Sequence, residues 1–167
     1  LPPYYYRSVS EEGLFAWFSQ VIQHSIPEDK ALFGYHFPKM SGVPLSLDLL
    51  ERLVNAFPGR FAGIKDSSGD ADFAVQLGAR FGPALQVMTG NDRLLTHALH
   101  HQAAGCITAM ANLYSPWLRR VWDSFETAAP DAAAQQALDV RRAILDRYPP
   151  APSLLKAMLA DLHGLPV

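Results

Sequence analysis

Short apolar segments alternate four times with amphipathic segments along this chain, and this alternation limits the possible folds more than any other feature. The apolar segments, each expected to be a strand, are residues 31–37, 61–65, 85–88 and 105–110. Strands that alternate with helices at this spacing predict a parallel sheet with right-handed crossovers. Two architectures satisfy the pattern: an open doubly wound sheet and part of a (β/α)8 barrel.

Helix-start signals lie before and between these strands. Ser10 and Ser46 each precede an apolar stripe of helical spacing and are expected to act as N-caps. Further helices are predicted over residues 70–81, 93–101, 117–125, 131–148 and 152–163, and residues 41–44 are predicted to form a turn. A whole barrel takes about 250 residues, so four strands correspond to roughly half of one.

The first residues, Leu1-Pro2-Pro3-Tyr4, are typical of the inside of a domain. We therefore expect the chain to be the C-terminal part of a longer fold. Residues 1–129 would supply strands and helices of the second half of a barrel, and residues 130–167 would form a C-terminal helical extension.

The composition favours an ordinary folded domain of the cytoplasm. Hydrophobic residues make up 49% and charged residues 18% of the 167 positions. The formal charge of −2 gives no reason to expect a nucleic-acid or membrane-surface partner. Cys106 is the one cysteine, so no internal disulfide is expected. No apolar run in the sequence approaches the ~18 residues of a membrane span.

Polar and aromatic residues follow each predicted strand. In both architectures functional sites lie at the carboxyl ends of the strands. Lys65 ends an apolar strand, where an ammonium is costly unless it is paired, reaches solvent or does chemistry. A lysine amine can attack carbonyl groups, and a hydroxyl such as that of Tyr35 can shuttle protons. The strand-end segments are residues 4–7, 35–36, 65–67, 89–92 and 108–112.

Other chemistries have weaker support. No glycine-rich phosphate loop occurs, which counts against a nucleotide-binding open sheet. His100 and His101 are adjacent on a predicted helix and have no third ligand spaced for zinc. Cys106 is expected to pack rather than react. The pairs Arg119-Arg120 and Arg141-Arg142 are predicted to lie on solvated helix faces.

Five short motifs, in order, are similar to those of one family. They are Pro3-Tyr4-Tyr5; Tyr35-His36-Phe37-Pro38 with Ser41-Gly42; Gly63-Ile64-Lys65-Asp66-Ser67-Ser68-Gly69; Thr89-Gly90-Asn91-Asp92; and Gly105-Cys106-Ile107-Thr108 with Asn112. The chain resembles the dihydrodipicolinate synthase / N-acetylneuraminate lyase family of pyruvate-dependent class I aldolases over its whole length.

The resemblance implies a (β/α)8 barrel with a helical appendix, assembled as a dimer of dimers. It implies that Lys65 forms a Schiff base with a 2-oxo acid and that no metal or other cofactor is needed. Tyr35 would relay protons, and Tyr5 would complete the relay in a neighbouring subunit. The residues implied to contact the substrate are Ser67, Gly90, Asp92 and the backbone carbonyl of Ile107.

Several positions depart from the family pattern. The Gly-Thr-Thr-Gly-Glu type loop that holds the pyruvate carboxylate does not occur in this sequence. Met40 stands where dihydrodipicolinate synthases have an arginine, and Arg93 stands where sialic-acid lyases usually have glutamate. A lyase or dehydratase acting on another 2-keto-3-deoxy acid or 2-oxo acid is therefore favoured. Lys39 or Arg93 could then supply the missing carboxylate contact.

Two alternatives stay open at this point. The first is a genuine 4-hydroxy-tetrahydrodipicolinate synthase. The second is a truncated, non-catalytic barrel paralogue, in which the edges of the half-sheet would favour aggregation or pairing with another copy.

Overall fold

Four parallel strands, paired in sequence order, form the centre of the fold. The computed structural model describes residues 2, 5, 7–127, 129 and 131–166. The strands are β1 (Leu32–His36), β2 (Phe61–Asp66), β3 (Gln86–Thr89) and β4 (Gly105–Cys106), in the order β1-β2-β3-β4. The helices are α1 (Glu11–His24), α2 (Pro38–Ser41), α3 (Leu47–Ala56), α4 (Ala71–Phe81), α5 (Leu95–His100), α6 (Ala111–Glu126), α7 (Ala132–Arg147) and α8 (Ala151–His163).

Polar side chains cap the three helices that precede β1, β2 and β3 along the chain. Ser10 accepts a hydrogen bond from the backbone N–H of Gly13 at the start of α1, and Ser46 accepts one from Leu49 at the start of α3. The carboxylate of Asp70 accepts two from the first turn of α4. Each bond satisfies a backbone donor that the helix itself leaves unpaired, so the predicted helix starts are confirmed here.

A register shift in the first strand pair decides which way β2 faces. Leu32 pairs with Phe61, but the next residue, Phe33, pairs with Gly63, so β2 contains one extra residue. Such a bulge reverses the alternation of side chains along the strand. As a result Phe61 and Ile64 both lie in the core beneath the helices, whereas Lys65 lies on the opposite face.

The main core lies between the sheet and helices α1, α3 and α4. Its fully buried members include Leu49, Leu50, Leu53, Ile64 and Leu77. The leucines of α3 recur at helical spacing, and their burial removes one face of this helix from water. Hydrophobic burial of this kind holds the helices against the sheet.

The C-terminal helices pack on the end of the sheet rather than standing apart from it. Ala134 and Leu138 of α7 join a cluster with Leu95, Leu99 and Val121 from α5 and α6. A third cluster joins Leu145 of α7 and Leu155 of α8 to Met110, which follows β4. The helical extension therefore shares two apolar clusters with the part of the chain that carries the strands.

Three expectations from the sequence differ from the structure. Strand β4 ends at Cys106 instead of residue 110, because the hydroxyl of Thr108 accepts a hydrogen bond from the Met110 N–H and turns the chain. Pro38 stops β1 as expected but also opens the short helix α2, and Gly42 at φ +67° closes it where only a turn was predicted. Helix α6 begins at Ala111, ahead of Pro116, with a kink at Tyr114.

No helix in the described part of the chain is both long and apolar enough to cross a lipid bilayer.

The packing of α3 predicts a clear difference between two leucines. Leu53 is 0% exposed, so Leu53→Ala should lower the free energy of unfolding by roughly 2–5 kcal/mol through lost burial and a residual cavity. Leu162→Ala removes the same atoms from a side chain that is 65% exposed. It should change the free energy of unfolding by only about 0.5 kcal/mol. Denaturant unfolding of both variants gives the comparison, and equal losses would contradict this description of the core.

Candidate active site

A cleft of about 360 Å³ opens where the parallel strands end. Its walls come from the ends of β1 and β2, from the segments that follow all four strands, and from helix α7. The lining side chains are aromatic, hydroxyl-bearing, amide-bearing or basic, and none of those described is acidic: Tyr35, Phe37, Lys39, Lys65, Ser67, Ser68, Gly69, Gly90, Asn91, Thr108, Ala109 and Arg142. The charge of the described lining is therefore positive.

Lys65 and Tyr35 lie side by side at the base of this cleft. They are paired residues of neighbouring strands, and the ammonium nitrogen of Lys65 lies 4.3 Å from the centre of the Tyr35 ring. A cation over an aromatic face is stabilised by the ring quadrupole. Within the described residues Lys65 forms no ion pair, so its amine is not committed to a carboxylate.

The hydroxyl of Tyr35 is linked to the next loop. Ser67 Oγ donates a long hydrogen bond of 3.4 Å to the Tyr35 hydroxyl oxygen, and the Tyr35 ring stacks on Phe37 with centroids 5.7 Å apart. The Ser67 backbone N–H donates to the carbonyl of His36, which fixes the loop against β1. The hydroxyl groups of Tyr35 and Ser67 thus meet at the ring over which the Lys65 amine lies.

Gly90 allows Ser67 to occupy this position. A Cβ atom on Gly90 would lie 1.9 Å from Ser67 Oγ and 3.0 Å from the carbonyl oxygen of Asp66. The Gly90 N–H also donates to that carbonyl at 2.6 Å. Gly90 lines the cleft, and only a glycine permits the close approach of the Ser67 side chain and the Asp66 carbonyl at this position.

His36 and Asp66 form a buried pair on the side of the sheet that faces the helices. His36 Nδ1 lies 3.7 Å from Asp66 Oδ1, and the imidazole packs edge-on against Phe73. Burial lowers the pKa of His36, and the nearby carboxylates of Asp66 and Asp70 oppose this shift only partly. Burial therefore favours the neutral imidazole at this position.

Asp92 lies behind the cleft and does not line it. Its side chain is 0% exposed, and one carboxylate oxygen accepts hydrogen bonds from Thr108 Oγ1 and from Arg142 Nη1, both at 2.9 Å. Gln135 of α7 donates to the Asp92 carbonyl as well. Asp92 thus ties α7 to the loops after β3 and β4, and the substrate contact predicted for it is not favoured by this burial.

The prediction that Arg142 lies on a solvated helix face is wrong. Its guanidinium is held by the buried Asp92 carboxylate and, through Nε, by Asp146 at 2.8 Å, and it lines the cleft. Arg119 and Arg120 are largely exposed, as expected. The pattern of the sequence did not indicate Arg142 because its buried partner lies 50 residues away.

Of the remaining candidate residues that the structure describes, Tyr5, Ile107 and Arg93 lie outside the cleft. Tyr5 is 92% exposed, and its predicted contact with a neighbouring subunit stays a prediction. The side chain of Ile107 is exposed, and its N–H donates to the Thr89 carbonyl. Pro3 and Tyr4, which belong to the first motif, lie outside the described residues. Arg93 pairs with Asp146 and does not line the cleft, whereas Lys39 does.

Cys106 is not poised to react. Burial raises the pKa of its thiol to about 12, with Asp92 adding to the shift and Lys65 and Arg142 opposing it. The protonated thiol packs against the apolar cluster of α5 and α6, as expected. Among the described residues no group of three or more His, Cys, Asp or Glu side chains is arranged to hold a metal ion.

Comparisons with known proteins agree on one family. The model of the Dihydrodipicolinate synthetase family matches residues 1–167. An uncharacterized DapA-like lyase of Chloroflexus aurantiacus is 35% identical over 168 residues, which cover 99% of this chain and 54% of that protein.

Solved structures with the same fold support this match. A candidate dihydrodipicolinate synthase from Thermus thermophilus superposes with a TM-score of 0.83 at 32% identity, covering 97% of this chain and 54% of that one. Dihydrodipicolinate synthase from Agrobacterium tumefaciens superposes with a TM-score of 0.77 at 30% identity, covering 97% and 53%.

The chain spans about half the length of the relatives and structures it matches. Those structures are (β/α)8 barrels, and the parallel four-stranded sheet corresponds to part of such a barrel. The predicted fold class, the C-terminal part of a (β/α)8 barrel with parallel strands and a helical appendix, is confirmed, and the open doubly wound sheet is excluded.

The ion pair behind the cleft predicts a large effect of one arginine on stability. Arg142→Met leaves the Asp92 carboxylate buried without its cation and should lower the free energy of unfolding by roughly 3 kcal/mol. Arg120→Met breaks the exposed pair with Asp131 and should cost about 1 kcal/mol or less. The double variant Asp92→Asn/Arg142→Met should recover part of the stability that Arg142→Met loses. If Arg142→Met lost no more stability than Arg120→Met in denaturant unfolding, the buried ion pair would not have the role described here.

Proposed function

This chain belongs to the dihydrodipicolinate synthetase family, and from that premise we propose that Lys65 forms a Schiff base with pyruvate or another 2-oxo acid in a class I aldolase, lyase or dehydratase reaction. One observation carries the proposal: the Lys65 amine lies over the ring of Tyr35, in a cleft whose described lining contains no carboxylate. A DapA-like lyase among its relatives supports the reaction class.

The reaction begins when the Lys65 ammonium gives up a proton and the resulting amine attacks the 2-oxo carbon. The carbonyl oxygen takes up a proton, the nitrogen loses one, and the carbinolamine then loses water to leave a protonated imine. That imine accepts the electron pair of a neighbouring bond, which allows a C–C bond to break or form, or a hydroxyl group to leave with a proton. After C–C cleavage the resulting enamine takes up a proton on carbon and becomes the protonated imine again. Water then adds to the imine carbon and releases the 2-oxo product and the amine.

Tyr35 is the proton relay in this scheme. Its hydroxyl is hydrogen-bonded to Ser67 and belongs to the residue paired with Lys65, so both hydroxyl groups are placed near the atoms that gain and lose protons. Tyr5 would extend the relay across a subunit contact in a homo-oligomer, a dimer of dimers. The proposed reaction uses no cofactor, because the substrate itself is held as an imine on Lys65.

Residues around the amine would then orient the substrate. Ser67 and Gly90 line the cleft beside Lys65 and are the candidates for contacts with the rest of the 2-oxo acid. The backbone carbonyl of Ile107 stays a candidate from the family pattern. Asp92 would act by holding Arg142 and Thr108 in place instead of touching the substrate.

Borohydride trapping tests the proposed imine. A folded preparation of the full-length protein, incubated with pyruvate and borohydride, should carry the reduced adduct on the peptide that contains Lys65, as read by mass spectrometry. Lys65→Arg should abolish the adduct, because a guanidinium does not condense with a ketone under these conditions. Lys30→Arg, at an exposed lysine paired with Asp29, should leave the adduct intact.

An unmodified Lys65 in the folded wild-type protein would refute the proposal. It would leave the non-catalytic barrel paralogue as the better description of the protein.

Removal of one hydroxyl tests the relay. Tyr35→Phe keeps the ring beneath the Lys65 amine but removes the proton-carrying group, so enamine formation should slow by roughly 10²- to 10⁴-fold. Exchange of the pyruvate methyl protons with D2O, followed by NMR, measures this step without a second substrate. Tyr148→Phe provides the control because Tyr148 is exposed at the end of α7. An unchanged exchange rate in Tyr35→Phe would show that Tyr35 is not the proton relay.

A further inference from the structure

His36 and Asp66 are buried side chains that the proposed reaction does not use. They are paired residues of β1 and β2, one position beyond the pair formed by Tyr35 and Lys65. Because side chains alternate along a strand, the imidazole and the carboxylate lie on the face of the sheet opposite the cleft, and each residue is 5% exposed. A second pair of ionisable groups therefore lies on the other face of the two strands that carry Lys65 and Tyr35.

One oxygen of Asp66 connects this pair to the loop after β2. Asp66 Oδ1 accepts a hydrogen bond of 3.0 Å from the backbone N–H of Ser68. The same oxygen lies 3.7 Å from His36 Nδ1, which is too far for a hydrogen bond. Within the described residues Nδ1 has no hydrogen-bond partner although it is buried. The carboxylate is thus bonded to the loop and only adjacent to the imidazole.

The loop that Asp66 holds is the one that carries Ser67 to the relay. The Ser67 N–H donates to the carbonyl of His36 at 2.8 Å, and the Ser67 hydroxyl donates to that of Tyr35. The bond between the two hydroxyl groups is 3.4 Å long, beyond the usual range for O–H···O bonds, so a small shift of the loop would break it. The place of the Ser67 hydroxyl therefore depends on the bonds that His36 and Asp66 make.

The charged groups that act on the imidazole are both negative. They are Asp66 of β2 and Asp70, the N-cap of α4, and Phe73 of the same helix packs edge-on against the ring at a centroid distance of 4.6 Å. Burial lowers the pKa of His36 in spite of these carboxylates, so the ring takes up its proton at a more acid pH than an exposed histidine does. That proton would leave a buried cation 3.7 Å from a carboxylate oxygen, where the attraction is strong.

We propose that His36 and Asp66 are a positioning pair for the proton relay, and that their protonation state sets the place of Ser67. With the imidazole neutral, Asp66 holds the Ser68 N–H. The loop then keeps the Ser67 hydroxyl on Tyr35. With the imidazole protonated, the carboxylate closes on Nδ1, which takes a shift of about 1 Å because a charged N–H···O bond is about 2.8 Å long. The loop loses or follows its anchor, and the Ser67 hydroxyl leaves Tyr35.

A role in packing alone predicts a different result. Substitutions in a pair that only fills space behind the sheet would change stability but not the way in which the relay depends on pH. A positioning pair is recognised by that dependence, because one proton on His36 changes the bonds of the loop. The effect on the relay rests on the proposed function, whereas the link between His36 and the loop does not.

Exchange of the pyruvate methyl protons with D2O, measured between about pH 5 and about pH 8, tests the positioning pair. In the wild-type full-length protein the exchange rate should fall at the acid end by about 2- to 10-fold more than in His36→Asn, as expected for loss of one hydrogen bond. The asparagine has an amide in this place but takes up no proton. His163→Asn, at an exposed histidine of α8, should match wild type. All three proteins keep Lys65 and Tyr35, so the comparison isolates His36.

Two substitutions of Asp66 separate its two contacts. Asp66→Asn keeps an oxygen for the Ser68 N–H but loses the charge that attracts a protonated His36, so the additional loss of exchange at acid pH should disappear. Asp66→Ala removes the acceptor, so exchange should be about 2- to 10-fold slower than in wild type even near neutral pH. Circular dichroism and an unfolding curve establish the native fold of each variant first. His36→Asn and Asp66→Asn carry the test if Asp66→Ala does not fold.

The backbone amide of Ser68 provides a measurement that needs no catalysis. In an amide NMR titration of the full-length protein, the Ser68 signal should move with the same midpoint as the ring signals of His36. In His36→Asn the Ser68 signal should stay in place over the same pH range. This titration follows the hydrogen bond from Ser68 to Asp66 Oδ1 directly.

The outcomes separate the positioning pair from the proposed Schiff base. A Ser68 amide that follows His36, in a protein that borohydride and pyruvate modify at Lys65, supports both. The same titration in a protein that forms no adduct supports the link to the loop and refutes the Schiff base. Three results overturn the positioning pair without touching the Schiff base: coincident exchange profiles of wild type and His36→Asn, a Ser68 amide that does not follow His36, or an imidazole that stays neutral until the protein unfolds.

Discussion

The pairing of Tyr35 with Lys65 across β1 and β2 is the contact on which the cleft depends. It exists because β2 has one extra residue opposite Leu32 and Phe33. In a regular strand the side chains of Phe61 and Lys65 would share a face, since they are four residues apart. The bulge separates them, so that Phe61 enters the core and the Lys65 ammonium lies over the Tyr35 ring.

The loops after the strands are shaped by equally close contacts. Ser67 approaches Tyr35 only because Gly90 has no side chain, and Gly90 in turn bonds to the last carbonyl of β2. Thr108 ends β4 early by turning the chain, and the same hydroxyl donates to the buried Asp92. Gly90 and Thr108 therefore shape the backbone of these loops as well as the cleft.

The sequence predicted the parts of this arrangement that depend on local patterns. The strand ends placed Lys65, Tyr35, Ser67 and Gly90 at one edge of the sheet, and all four line the cleft. It did not predict the bulge, because a bulge depends on how two strands pair and not on the apolar content of either. It also misplaced Arg142, whose buried partner is distant in sequence.

The helical extension contributes Arg142 to the cleft, and this guanidinium pairs with the buried Asp92 carboxylate. Lys65 and Arg142 both line the cleft, and the buried Asp92 carboxylate lies behind it, bonded to Arg142. A buried carboxylate there would attract any nearby ammonium, including that of Lys65. Because Arg142 already bonds to Asp92, the carboxylate is neutralised from α7 and does not compete for the amine. The extension therefore supplies the cation that pairs with the buried Asp92 carboxylate behind the cleft.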